Sequence, residues 1–263
     1  MDAARRGMKH VFLRCAAWMV VMAGIAVPVA GSAGESFPFF PGEKMQYRVR
    51  WNFITAGTGV MEVLPMTEVK GEKAYHFILT AQTNSFIDIF YKVRDRYDSY
   101  ADATMSRSLM YRRLNEGKDR RNVMVFFDWP GGTVWYSNMG EARAPVPVLP
   151  GSFDPLSVYY AFRMMDFKEG DSIEMPVTDG KKSVMGRATV VGREPVDIDG
   201  TVYDTYRIEP ELKHFGGVFK KSTDNKLAIW ITADERKIPV KMEVEVVIGS
   251  VVFECISYEG RRG

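Results

Sequence analysis

The sequence predicts an all-β fold that is mainly antiparallel, on the strength of residue alternation and turn signals. Apolar and polar residues alternate along Glu43–Trp51 and again along Val240–Val246, as in strands with one buried and one wet face. Turn signals such as Asn115–Lys118 and Asp199-Gly200 separate the strand patterns at hairpin spacing. Because parallel strands need long crossovers, we expect about a dozen strands joined mostly by short turns into antiparallel meanders.

Three further segments are apolar on both faces, namely Val123–Trp129, Leu227–Ile231 and Val251–Ile256. Such strands are either covered on both sides or face a core on one side and a ligand space on the other. The pattern is compatible with a curved sheet, an open barrel or a two-sheet sandwich.

One segment carries a convincing helical pattern. Asp154 is a suitable N-cap, Pro155 suits the first helical position, and apolar residues then recur at three- and four-residue spacing as far as Phe167. Gly170 lies just past this run. The sequence therefore predicts a helix over residues 155–167, packed on or across the sheet. A weaker pattern over Ser85–Tyr91 indicates a second, shorter helix.

The N-terminus has the three zones of a secretory signal peptide. Four basic residues precede the apolar run Cys15–Val29, and the small residues Ala30–Ala33 follow it. The apolar run is shorter than the roughly 20 residues that a membrane-spanning helix needs. We therefore expect residues 1–33 to be a cleaved signal peptide and residues 34–263 to form a single β-rich domain without a transmembrane span.

The predicted signal peptide, or leader, also predicts the location and charge of the mature chain, residues 34–263. Cys15 precedes the apolar run, so it is not placed to carry a lipid, and we expect an unlipidated protein in the periplasm. Of 35 lysines and arginines and 33 acidic residues, four bases and one acid fall in the leader, which leaves a mature chain near neutrality. This balance argues against nucleic acid as a partner.

Only Cys255 remains after cleavage, so the mature chain is not able to form an internal disulfide. Cys255 lies in a strand pattern without an adjacent base, and we expect a buried, inert thiol rather than a nucleophile.

Several segments in a fixed order resemble domain-of-unknown-function family 3108, exported bacterial proteins of uncharacterised role. They span residues 39–259, and each is weak alone. They are Phe40–Glu43 leading into Tyr47–Trp51 and Ala56-Gly57, Val93–Tyr100, Glu116-Gly117 before Phe126–Asp128, Asp154–Ser157, and Ile229–Asp234 before Pro239-Val240. The resemblance implies a β-rich periplasmic or envelope protein, and it carries over no catalytic residue.

Signatures of enzymes are mostly missing from the chain. It has no nucleophile elbow, zinc-protease motif, P-loop or dinucleotide fingerprint, and its two mature histidines, His76 and His214, lie far apart. We therefore assign no catalytic residue, metal site or cofactor. One enzymatic alternative stays open, a cell-wall or polysaccharide hydrolase that uses Asp95 with Asp98 or Glu116 as paired carboxylates.

The remaining candidates are aromatic and charged residues. Aromatic and methionine side chains fill cores, but they also line adaptable apolar sites. The candidate ligand-binding residues are Trp51, Tyr91, Trp129, Trp135, Tyr159, Tyr160 and Trp230. The candidate polar or anion contacts are Arg94, Asp95, Arg96, Arg112, Arg113 and Arg120. Core packing and charged, solvated strands are the competing interpretations of these two sets.

These features favour a non-enzymatic envelope protein that binds an apolar or amphipathic, lipid-like ligand or docks on another envelope component. A third interpretation is a structural or assembly partner without a ligand, which predicts a large exposed apolar patch or edge strand.

Overall fold

The structure, a computed structural model, describes residues 37–117, 120–211, 227–245 and 249–260. It confirms the mainly antiparallel all-β fold, with more strands than the dozen expected. The strands are β1 Lys44–Trp51, β2 Ile54–Val69, β3 Glu72–Thr83, β4 Arg94–Asp102, β5 Ser108–Asn115, β6 Arg121–Asp128, β7 Thr133–Asn138, β8 Glu141–Ala142, β9 Val146–Pro147, β10 Ser172–Thr178, β11 Ser183–Ile198, β12 Thr201–Pro210, β13 Leu227–Thr232, β14 Pro239–Glu245 and β15 Ser250–Glu259. Two short helices accompany them, α1 Ser85–Asp88 and α2 Ser157–Arg163.

All the strands belong to one antiparallel sheet, which is built from two meanders. Strands β1 to β8 follow one another across one half, and β10 to β15 follow one another across the other. The halves join where β15 pairs with β1, for example Val49 opposite Phe253. Strand β9 pairs with β7 beside β8, so β8 and β9 mark one side of the sheet and β10 the other.

The sheet curls until its two sides approach each other. The turn between β10 and β11 reaches the inner face of β6 and β7, where a Cβ atom on Gly180 would lie 2.8 Å from Val125. Phe153 bridges to Val177 in β10, because its N–H donates to Pro176 O and Thr178 N–H donates to Phe153 O, each at 2.9 Å. The curled, open sheet is therefore the closure that this chain adopts.

Helix α2 lies inside the curl, and every one of its residues is buried. It is shorter than the predicted helix over 155–167. At its start, Pro155 and Leu156 form a turn, and the Asp154 carboxylate accepts the backbone N–H groups of Leu156 and Ser157 at 2.8 and 3.1 Å. Asp154 therefore has the predicted capping role, one turn before the regular helix begins.

The helix ends at Arg163 rather than at Phe167, because the chain turns back there and Phe167 stacks on Phe162 at 4.7 Å. The Arg163 guanidinium forms a bidentate pair with Glu43, at 2.6 and 2.8 Å, and both side chains are wholly buried. Backbone carbonyls also accept from this side chain, Lys237 O from Nε and the Pro38 and Arg236 oxygens from Nη2. Arg163 thus connects the end of α2 to the start of β1 and to the segment before β14.

Large side chains fill the space between α2 and the sheet. Tyr160 stacks on Phe77 of β3 at 3.8 Å, and Phe39 packs edge-on against both rings. The interior of the curl is therefore occupied by protein along α2. Neither of the described helices has the length and hydropathy that crossing a membrane requires. The predicted signal peptide lies outside the described residues.

Candidate functional site

Four connections between strands lie side by side at one end of the sheet, which we name the α1 end. They are the β1–β2 turn, the segment 84–93 that contains α1, the β5–β6 turn and the β7–β8 turn. Asn84 donates its N–H to Ala56 O at 2.9 Å, which ties α1 to the start of β2. Glu116 N–H donates to Arg94 O at 2.8 Å, and Met139 N–H donates to Asn122 O at 3.0 Å. These bonds place the remaining turns next to α1.

The α1 end exposes large apolar side chains, which we name the apolar group: Phe53, Phe86, Ile89 and Phe90. Phe53 in the β1–β2 turn is 88% exposed and Ile89 is 69% exposed. Phe86 and Phe90 contact each other edge-on at 5.7 Å and are both exposed. Ile87 and Tyr91 from the same segment are buried instead. The segment thus anchors itself inward and presents its other apolar side chains to solvent.

The same end holds the arginines that lack an acidic partner among the described residues. Every arginine in the described ranges forms an ion pair with a carboxylate, except five between residues 112 and 143. These five are Arg112, Arg113, Arg120, Arg121 and Arg143. Arg112 and Arg113 lie on β5, Arg120 and Arg121 at the start of β6, and Arg143 directly after β8.

Arg113 points to the inside of the curl, whereas Arg112 points to the outside. Tyr97, Arg113, Val123 and Asn138 are successive partners across β4 to β7 and form one row on the inner face. The Arg113 guanidinium lies over the Tyr97 ring at 5.6 Å, and its Nε donates to Asn115 Oδ1 at 2.8 Å. Its two terminal nitrogens make no hydrogen bond within the described part of the chain.

Two polar atoms beside Arg113 are buried without a hydrogen-bond partner in the described structure, Asn115 Nδ2 and Asn138 Oδ1. Because Asn115 Oδ1 accepts from Arg113, the orientation of its amide is set. Nδ2 then makes no hydrogen bond in the described structure, with the Asp95 carboxylate as its neighbour on β4. A buried polar atom without a partner costs about 1–3 kcal/mol, so each of these atoms is a place for a ligand atom or an ordered water.

The surroundings of this row carry more positive than negative charge. Arg143 and Lys181 both lie over the ring of Tyr136, at 5.4 and 4.7 Å. Asp95 also faces inward, directly opposite Asn115, and accepts the Tyr97 hydroxyl at 3.2 Å. Burial raises the pKa of its carboxyl, against the opposing effects of the Asn115 side chain and the Arg113 charge.

The structure scatters the predicted aromatic residues over both faces of the sheet. Tyr91, Tyr159 and Tyr160 are buried in the core. Trp230 lies on the outer face beneath Lys241, and its indole N–H donates to Glu194 at 2.6 Å. The others are Trp51 at the end of β1, Trp129 at the β6–β7 turn and exposed Trp135 on β7. The seven side chains therefore do not meet in one site.

The predicted polar contacts divide into two groups. Arg94 and Arg96 pair with Asp88 and Asp98, at 2.6 and 2.7 Å, and are engaged within the protein. Arg113 and Asp95 face inward, Arg112 faces outward with its Nε 3.4 Å from Asn122, and Arg120 is exposed at the β5–β6 turn.

Asp95 and Asp98 lie on opposite faces of β4, because they are three residues apart in a strand. Burial alone would raise the pKa of Asp98, but hydrogen bonds from His76 and Arg96 hold it well below its usual range. Asp98 is therefore an ionised ion-pair partner and is not placed to share a substrate bond with Asp95, as the Asp95–Asp98 form of the hydrolase alternative requires.

Other potentially reactive side chains have structural surroundings. Cys255 is buried, and burial raises the pKa of its thiol to about 11. Within the described ranges, no three metal-ligating side chains come together, and His214 lies outside those ranges.

Sequence reasoning did not single out Ile89, Arg143, Asn115 and Asn138. The alternation of side chains along a strand was the available signal for one of these residues. Asn115 and Arg113 are two residues apart in the sequence and therefore share a face of β5. The pairing that leaves certain arginines without acids is not visible in the sequence.

Residues 46–256 match the family described as a protein of unknown function, DUF3108. A search of curated proteins finds no match. Among solved structures, the chain is similar to a β-barrel-like protein of the domain of unknown function DUF1849 from Brucella abortus. The TM-score is 0.51 at 10% identity, over 85% of this chain and 99% of the other.

Two further structures are more distant. A protein from Parabacteroides distasonis, classed provisionally as a lipoprotein, has a TM-score of 0.37 at 7% identity, over 85% of this chain and 97% of its own. A Bacteroides fragilis protein with a YmcC-like fold, classed provisionally as exported, has a TM-score of 0.32 at 12% identity, over 85% and 98%.

Proposed function

The chain belongs to the DUF3108 family, whose description supplies no activity, and from its own geometry we propose a function. It is an exported, non-enzymatic envelope protein that binds an amphipathic, anion-bearing ligand of lipid-like chemistry at the α1 end. The periplasm is its compartment and the mature chain is unlipidated, as the leader predicts.

A single observation carries this proposal: unpaired arginines and exposed apolar side chains occur together at the α1 end. A lipid has an apolar part and an anionic head, and guanidinium groups suit phosphate geometry. Elsewhere in the described chain, arginines are neutralised by carboxylates, so a free anion meets the least competition at this end.

The interior packing supports contact at the end of the sheet rather than storage in a central cavity. Helix α2 and the rings around it occupy the middle of the curl. An amphipathic ligand would lay its apolar part against Phe53, Phe86, Ile89 and Phe90. Covering apolar surface contributes about 25 cal/mol per Å², so even part of this area supplies useful affinity.

Co-sedimentation with vesicles tests the proposal. We expect the mature protein to bind phosphatidylglycerol-containing vesicles more tightly than pure phosphatidylcholine vesicles, and salt to weaken the binding because exposed charges are screened. The variant F86S/I89S/F90S is expected to lose at least tenfold in affinity. M185S/V191S, which removes exposed apolar side chains of β11 instead, is the matched control and should bind as wild type does.

The second measurement is a native mass spectrum, with lipid extraction, of the protein purified from its own periplasm. Co-purified lipid and a mature N-terminus near Gly34 are the expected results. Absence of vesicle binding together with a lipid-free spectrum would overturn the proposal.

A further inference from the structure

We infer that Arg113, Asn115 and Asn138 form a binding site for a phosphate group that carries a neighbouring hydroxyl, on the inner face of the sheet at the α1 end. This inference rests on the proposed function for the apolar part of the ligand and specifies its head group. Glycerol phosphate is the simplest molecule with the required chemistry.

The anion requirement comes from Arg113. Its guanidinium is partly enclosed, is flanked by the Tyr97 ring, and has no carboxylate within ion-pair distance among the described residues. Asn115 engages only Nε, so the two terminal nitrogens, a fork of N–H donors, make no hydrogen bond among the described residues. A phosphate oxygen pair matches that fork, and bonds of this charged type are roughly twice as strong as neutral ones.

The hydroxyl requirement comes from the two asparagines. Asn115 Nδ2 is a buried donor that makes no hydrogen bond in the described structure, although the Asp95 carboxylate is its neighbour, and it offers a bond to a phosphate oxygen beside Arg113. Asn138 Oδ1 is a buried acceptor without a donor, and an ionised phosphate oxygen is not able to satisfy it. A head group that brings both anionic oxygens and an O–H satisfies all three side chains.

The register places these groups within reach of one ligand. Arg113 and Asn138 belong to the same inner row and are separated by Val123 alone. Neighbouring strands lie about 4.8 Å apart, so the backbones of β5 and β7 are about 10 Å apart across β6. Arg121 pairs with Asn115 one row closer to the α1 end and continues the positive charge toward the apolar group.

Titration calorimetry with glycerol phosphate, and separately with inorganic phosphate, tests the site. Wild type should bind glycerol phosphate, and Arg113→Gln should weaken it at least tenfold. Arg112→Gln changes the adjacent arginine on the opposite face, so a shift below twofold is expected. Asn138→Ala should weaken glycerol phosphate more than inorganic phosphate, because only the glycerol hydroxyl extends far enough from a phosphate held at Arg113 to reach across β6.

A measurement on the wild-type protein tests the site even if a variant fails to fold. Glycerol phosphate should protect Arg113, but not Arg112, from phenylglyoxal, as read by mass spectrometry. Equal effects of the R112Q and R113Q variants, or absence of selective protection, would overturn the inference.

The vesicle and glycerol phosphate experiments together distinguish failure of this inference from failure of the proposed function. Vesicle binding that survives Arg113→Gln, without any glycerol phosphate binding, rejects the inner site and keeps the proposed function. Glycerol phosphate binding without vesicle or lipid binding rejects the proposed function and keeps the inner site. Short-chain phosphatidylglycerol binding more tightly than glycerol phosphate would identify a lipid head group rather than a free metabolite as the source.

Discussion

At the scale of single residues, the charged side chains of this protein fall into three cases: exposed ion pairs, a buried ion pair, and arginines without an ion-pair partner among the described residues. Most exposed pairs, such as Arg193 with Asp204, contribute little to stability, because solvent screens them. Arg163 with Glu43 is different, since both side chains are wholly buried and hydrogen-bonded. The unpaired Arg113 is the third case, a cation that the protein leaves available.

Removing one charge of the buried pair is expected to destabilise the fold strongly. Glu43→Gln leaves the Arg163 guanidinium buried without a counter-charge, a change that costs about 3–5 kcal/mol in buried pairs. Urea unfolding followed by circular dichroism measures the loss. Glu174→Gln, which breaks an exposed pair with Arg187, is the control and should cost less than about 1 kcal/mol.

The double variant E43M/R163M completes this experiment. Replacing both charges by apolar side chains removes the desolvation penalty along with the attraction, so it should be more stable than E43Q. A double variant that is less stable than E43Q would contradict this assignment.

At the scale of elements, α2 depends on its two ends. Two turns do not make a stable helix in isolation, so tertiary contacts must hold it. Asp154 accepts two backbone N–H groups and the hydroxyls of Ser99 and Ser108, at 2.7 and 2.6 Å. The Ser157 hydroxyl also bonds to Ser99, so the helix start is connected to β4 and β5.

We expect Asp154→Ala to lower the free energy of unfolding by about 2–4 kcal/mol. The loss combines a cap worth about 1 kcal/mol with buried hydroxyls that lose their acceptor. Thermal and urea unfolding measure it. Asp171→Ala removes a similar turn bond, to Lys168 N–H, at an exposed site and should change stability by about 0.5 kcal/mol or less. Similar losses in the two variants would show that Asp154 has no special role.

At the scale of the whole molecule, the curl of the sheet depends on close contact between its two sides. Gly180 has φ +82° and faces Val125 and Tyr136, whereas Gly200 has φ +84° with open space around it. Both positions lie in hairpin turns and disfavour a side chain for the same backbone reason. They differ in whether a Cβ atom meets the opposite side of the sheet.

This difference gives a matched test of the closure. Gly200→Ala should cost about 1 kcal/mol, the penalty for a left-handed alanine. Gly180→Ala carries the same penalty and a clash with Val125, so we expect it to be less stable by at least about 1 kcal/mol more. Thermal unfolding of both variants measures the difference. Equal losses would mean that the sides of the sheet do not press together at Gly180.

The sequence predicted the β fold correctly because its signals are local. Alternation along Glu43–Trp51 and the turn at Asp199-Gly200 act within a few residues, and the structure has β1 and the β11–β12 turn there. The helix start at Asp154 was predicted for the same reason. The helix end was misplaced, because contacts between Phe162 and Phe167 and between Arg163 and Glu43 override the local pattern.

The sequence by itself determined the strand class, the hairpins, the site of α2 and the family resemblance, which the family match over residues 46–256 confirms. Only the tertiary structure decided that β15 pairs with β1, that Arg163 meets Glu43 across 120 residues, and that Arg113 faces inward without an acidic partner. The physical reason is the distance along the chain over which each interaction acts. Alternation and turn chemistry act between near neighbours, whereas the pairing of charges depends on which distant strands the register brings together.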